Sequence, residues 1–82
     1  MATSSLLELD IPGLLRRAQH LSRTVFPKQV VEVTLEPQLG ILCIRFKKPK
    51  DGELGEAVHP QVHLYRDKET DEITAVELIE MS

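Results

Sequence analysis

The side chains that could do chemistry are few: three histidines, one cysteine, one tyrosine and a scatter of acids. His59 and His63 are four residues apart, the spacing that pairs metal ligands on a helix. Pro60 stands between them and a strand pattern follows, so they would lie roughly 13 Å apart at the usual extended rise. The simpler reading is surface histidines. Cys43 is the only cysteine, which excludes an intrachain disulfide and a site of several thiolates. In mid-strand it reads as a small packing residue, with Arg45 close enough in sequence to assist a thiolate. Asp67-Lys68-Glu69-Thr70-Asp71 imitates the start of a calcium loop. Its sixth position is Glu72 instead of glycine, and its twelfth is Leu78 instead of a bidentate acid. A polar hairpin turn explains it. Gly52-Glu53-Leu54-Gly55 lacks the Lys-Ser or Lys-Thr of a phosphate loop. Ser4, Ser5, Ser22 and Ser82 have no nucleophile elbow around them. The expectation is a non-enzyme with no catalytic set, no metal and no cofactor.

The elements that would position these residues follow from periodicity. Eighty-two residues make a single domain, 1–82, with a modest aliphatic core. Residues 1–9 are read as a disordered lead-in. A helix is expected over 10–26, capped by Asp10, with Pro12 in its first turn and Pro27 as its stop. Its apolar stripe is Leu14, Ala18, Leu21 and Val25. Residues 29–80 read as an antiparallel sheet. Strands are expected over 29–35, 41–46, 61–66 and 72–79, with turns at 36–40 and 67–71. Residues 47–60 read as the longest loop, since their Lys, Gly and Pro show no usable period.

The expected fold is therefore α+β: an N-terminal helix, then a four-stranded antiparallel β-meander, with the helix packed on one sheet face. That face carries Val33, Leu42, Ile44, Leu64 and Val76. The opposite face holds Val30, Ile41, Cys43, Tyr65, Ile73 and Ile79 among Glu32, Arg45, His63 and Glu77. Its six apolar or amphipathic residues exceed what a solvated face needs, and make it, or else a strand edge, the candidate surface for a homodimer.

Net charge is −3. The acids gather late, and Glu69, Asp71, Glu72, Glu77 and Glu80 form a candidate surface for a basic protein partner. Arg16, Arg17, Arg23, Lys47, Lys48 and Lys50 form a candidate basic patch. Aromatics are only 4% of the chain, too few for base stacking, so nucleic acid is not the expected partner. No apolar stretch is long enough to cross a bilayer, and no basic residue precedes Leu6-Leu7 as a secretory leader requires. The expected location is the cytoplasm.

The segment Glu36-Pro37-Gln38-Leu39-Gly40-Ile41-Leu42-Cys43-Ile44-Arg45-Phe46 resembles the opening signature of domain of unknown function 2283, a small prokaryotic family. That signature is an acid–Pro–acid turn running into a Leu-Tyr-Ile strand. Ile73-Thr74-Ala75-Val76-Glu77-Leu78-Ile79 is similar to the family's closing strand, and the likeness spans about residues 29–80. Cys43 stands where the family has Tyr, Gly40 where Asp is common, and Asp71 and Ala75 where Gly is frequent. The resemblance implies no activity; the family's setting, similar to small toxin–antitoxin pairs, implies an antitoxin-like protein-binding role. The leading expectation is a protein-interaction module, homodimeric. The alternative is a nucleic-acid-associated regulator using the basic patch. A second alternative is a small-molecule or metal site around Cys43, His59, His63 and Tyr65.

Overall fold

A computed structural model describes residues 10–79. The expected lead-in at 1–9 and Glu80 lie outside the described residues. The helix opens as the sequence indicates: the Asp10 side chain accepts the Gly13 N–H at 3.1 Å, and Pro12 sits in the first turn. It closes earlier than expected. Helix α1 spans Ile11–Ser22, and Arg23 turns left-handed at φ 56° while its N–H bonds Gln19 C=O. The stripe therefore loses its last member, because Val25 is 85% exposed. Phe26 enters the core in its place, with its N–H held by Gln19 Oε1 at 2.8 Å and its ring 5.6 Å from that of Phe46.

Five strands follow: β1 Glu32–Glu36, β2 Ile41–Arg45, β3 Glu53–His59, β4 Val62–Asp67 and β5 Ile73–Ile79. The sheet is antiparallel throughout, in the order β1-β2-β5-β4-β3. This corrects the expected four-stranded meander in two ways. The stretch 47–60 contains a strand, β3, which lies at a sheet edge and is largely exposed, so it never shows the apolar alternation of a half-buried strand. The chain also does not run neighbour to neighbour, because β5 returns to pair with β2.

The two hairpin turns are as expected. Between β1 and β2, Leu39 N–H bonds Glu36 C=O at 3.1 Å, and Gly40 takes φ 65°, the left-handed backbone that glycine tolerates. Between β4 and β5, Asp67 is buried and its carboxylate accepts the N–H groups of Lys50, Glu69 and Thr70. Those bonds hold its carboxyl below the usual aspartate range, the bond from Lys50 contributing most. One side chain thus ties the β2–β3 connection to the β4–β5 turn.

The core is one cluster. Leu42, Ile44, Phe46, Val62, Leu64, Ile73 and Val76 from the sheet meet Ala18 and Phe26, with Leu14, Leu21, Val33 and Leu35 packed at its margin. The expected core face is thus correct, but two residues move onto it. Val30 packs against the core because the chain before Glu32 is not yet strand. Ile73 is buried beside Phe46 because β5 carries a bulge. Ala75 pairs with Tyr65 and Ile73 with Arg66, so Thr74 is an extra residue. One inserted residue reverses the facing of everything beyond it. The carbonyl of Thr74 accepts from both Phe46 N–H, at 2.7 Å, and Lys47 N–H, at 3.2 Å.

Candidate functional site

The face of the sheet away from α1 can be laid out from its register. Residues directly opposite across an antiparallel pair share a face. One row is Glu36–Ile41–Ile79; the next is Thr34–Cys43–Glu77–His63–Ala57; the third is Glu32–Arg45–Ala75–Tyr65–Gly55. The structure therefore brings Ile41, Cys43, Tyr65 and Ile79 together as expected, all half-buried, and removes Val30 and Ile73 to the core.

Two polar clusters cross this face. In the first, Arg45 makes a forked pair with Glu53, Nη1 to Oε1 at 2.7 Å and Nη2 to Oε2 at 3.3 Å, and Nη1 also donates to Lys47 C=O. The Thr74 hydroxyl, on the bulge, lies between Glu53 Oε1 and the carbonyl of Tyr65. The Arg45 guanidinium, aided by Thr74, holds the Glu53 carboxyl below the usual glutamate range. In the second cluster, Glu77 Oε1 accepts from Tyr65 OH at 3.4 Å and lies 3.5 Å from His63 Nδ1. Burial, then the Glu77 charge, pushes the Tyr65 phenol up. Burial also pushes the Cys43 thiol up, outweighing Arg45, so the guanidinium does not make Cys43 a thiolate.

Gly55 is part of this arrangement. A Cβ there would stand 2.9 Å from Tyr65 Cε1, so only glycine lets the ring lie over β3. Gly55→Ala is expected to lift the ring and break its bond to Glu77. Tyr65 is the only tyrosine and there is no tryptophan, so intrinsic fluorescence reports this ring alone. A changed tyrosine emission with an unchanged far-ultraviolet spectrum is the expected result; identical emission would contradict it.

The other candidate residues are placed as follows. His59 lies opposite Val62 on the core side and accepts Gln61 N–H through Nδ1, whereas His63 is on the open face. The two histidines are thus on opposite sides of the sheet. Among the described residues no three His, Cys, Asp or Glu side chains are grouped to hold a metal. Arg16, Arg17 and Arg23 are exposed on or just after α1, and Arg17 reaches Gln61 at the β3–β4 turn. Lys47 lies at the opposite end of β2, paired with Glu72 at 2.7 Å, and Lys48 and Lys50 are exposed beyond it. The acids separate too. Glu69, Asp71 and Glu72 share the β4–β5 turn, while Glu77 sits in mid-face. Glu53 and Thr74 are site residues absent from the sequence reading; the bracketing of 53–59 by Gly52 and Pro60 was the available signal for the strand that carries Glu53.

Among the described residues no helix is long and apolar enough to cross a membrane. No protein-family model matches the chain, and no curated protein or solved structure does so either.

Proposed function

We propose that this chain is a non-enzymatic protein-interaction module that pairs with a second copy of itself through the helix-free face of its sheet. The observation that carries the reading is the state of the charges there. Arg45 is matched by Glu53, and Glu77 accepts a hydrogen bond from the Tyr65 hydroxyl and lies beside His63, within one chain. A partner seated over β2, β5 and β4, clear of Glu32 and Glu36 on β1, can therefore exclude water from the Arg45–Glu53 pair without stranding either charge, which is the usual obstacle to burying ionised groups. The half-buried Ile41, Cys43 and Ile79 beside them supply apolar area. A chain of 82 residues has little core of its own, so added burial is worth much to it.

The sheet edges suit self-pairing less well. Antiparallel pairing of β1 with its copy about Thr34 would set Glu32 against Glu36 twice. Pairing of β3 about Glu56 would oppose two copies of that acid, and β3 is also bulged between Ala57 and His59. Like charges in register and bulges both discourage edge pairing. The antitoxin-like role implied by the resemblance to domain of unknown function 2283 is part of this proposal, with the dimer as the unit that would meet a partner.

Ile41→Glu tests the reading. It places a carboxylate beside Ile79 and Glu36 on the open face. The expected outcome is a folded monomer, seen as an unchanged far-ultraviolet spectrum with the mass halved in light scattering. A dimer that survives the change rules out this face.

A further inference from the structure

The α1 side of the sheet holds a cavity that shares a single lining residue, Ile79, with the proposed dimer face. It lies between α1 and the ends of β2, β4 and β5, with a volume of about 170 Å³, and it is partly open to solvent. Its walls are aliphatic, including Leu14, Ala18, Val62 and Leu78. Two polar side chains complete it, Arg17 and Gln61, and among the described residues no acid lines it. An enclosed aliphatic cavity of about 150 Å³ accepts a benzene molecule, so the space here suits an apolar group of that size.

The chemistry of the polar end selects the headgroup. Arg17 is exposed, and among the described residues its side-chain hydrogen bond is to Gln61 Oε1 at a long 3.4 Å. Among the described residues that one long bond leaves most of its five donors unused, in the fork geometry that matches a carboxylate. Gln61 can turn its amide N–H₂ toward the same anion. An apolar body with a single carboxylate would fill the walls and satisfy the guanidinium at once, the usual design of a small-molecule site.

We propose that this cavity binds a small monocarboxylic acid with an apolar body about the size of a benzene ring, its carboxylate held by Arg17 and Gln61. The site shares Ile79 with the dimer face but takes its polar end, Arg17 and Gln61, from outside it, so Arg17→Ala and Ile41→Glu let either proposal fail alone. The test is titration of the full-length chain with benzoate, with hexanoate as an open-chain counterpart and benzyl alcohol as the uncharged one. Binding is read by calorimetry and by amide shifts. The expected result is saturable binding of both acids, one per chain, with shifts centred on Ala18, Gln61 and Val62. Arg17→Ala, at an exposed position, is expected to weaken benzoate at least tenfold and leave benzyl alcohol unchanged. Absence of saturable binding overturns the proposal, as does binding indifferent to Arg17. Shifts at these residues that follow protein concentration and ignore benzoate would assign the cavity to a second copy and also overturn it.

Discussion

Replacing Ile73 with aspartate is expected to unfold the domain. Ile73 is 8% exposed and packs in the cluster that holds Phe26 and Phe46. The change removes hydrophobic burial worth about 1.5–3 kcal/mol. It also buries a carboxylate among aliphatic and aromatic side chains, at a cost of several kcal/mol even after relaxation. Together these rival the whole stability of a small domain, about 5–15 kcal/mol. The measurement is a thermal melt followed by circular dichroism. Loss of the cooperative transition is expected; a melting temperature close to that of the parent would mean that Ile73 does not face the core. The result separates the bulged strand from an unbulged one, because strict alternation would put Ile73 on the open face beside Ala75.

The second large effect concerns the Arg45–Glu53 pair. The two side chains are only 23% and 19% exposed. Removing the carboxylate leaves Arg45 with the carbonyl of Lys47 alone among the partners described, while the Thr74 hydroxyl can still turn to the Tyr65 carbonyl. Glu53→Ala is expected to cost about 3 kcal/mol, the lower end for breaking a buried ion pair, since this one retains some solvent. At about 4–8 °C per kcal/mol for a chain of this size, the melting temperature should fall by on the order of 15 °C. Glu53→Gln keeps an acceptor for Thr74 and should fall less.

The pair also gives stability a pH dependence. The Glu53 carboxyl is depressed in the folded chain, principally by its hydrogen bond from Arg45. A depressed acid contributes its stability above its ordinary range, about pH 4.3 for glutamate. That contribution is lost as pH falls through this range toward the lower folded value. The melting temperature should therefore drop on acidification, and the drop should be shallower in Glu53→Gln. Parallel pH profiles for the two proteins would contradict this role for Glu53. Asp67, held low by its three backbone bonds, adds a slope of the same sign that both proteins share.

Much of this fold is legible in the chain, because helix α1 and four strands are local patterns. Asp10 and Pro12 announce the helix start, and the alternation of Leu42, Ile44 and Phe46 announces a strand with one buried face. What the pattern cannot carry is non-local or depends on parity. β3 has one neighbour and little cover, so Glu53, Leu54, Gly55 and Glu56 show no period to read. The pairing of β5 with β2 joins residues more than thirty positions apart, such as Ile44 and Val76. The bulge at Thr74 is a single extra residue, and it alone decides that Ile73 points inward. The open face is legible at Ile41, Cys43, Tyr65 and Ile79 for the same reason that it fails at Ile73. Its principal ion pair is not legible, since Glu53 belongs to the strand that shows no period.

The most direct test of the central proposal is the mass of the unaltered chain in solution, measured by light scattering over a dilution series. Pairing through the open face predicts a species of twice the 9.3 kDa chain mass. It also predicts a tyrosine emission that changes as dilution separates the copies, because Tyr65 lies on that face. A mass of 9.3 kDa at every concentration would contradict the account and leave the face as a solvated surface.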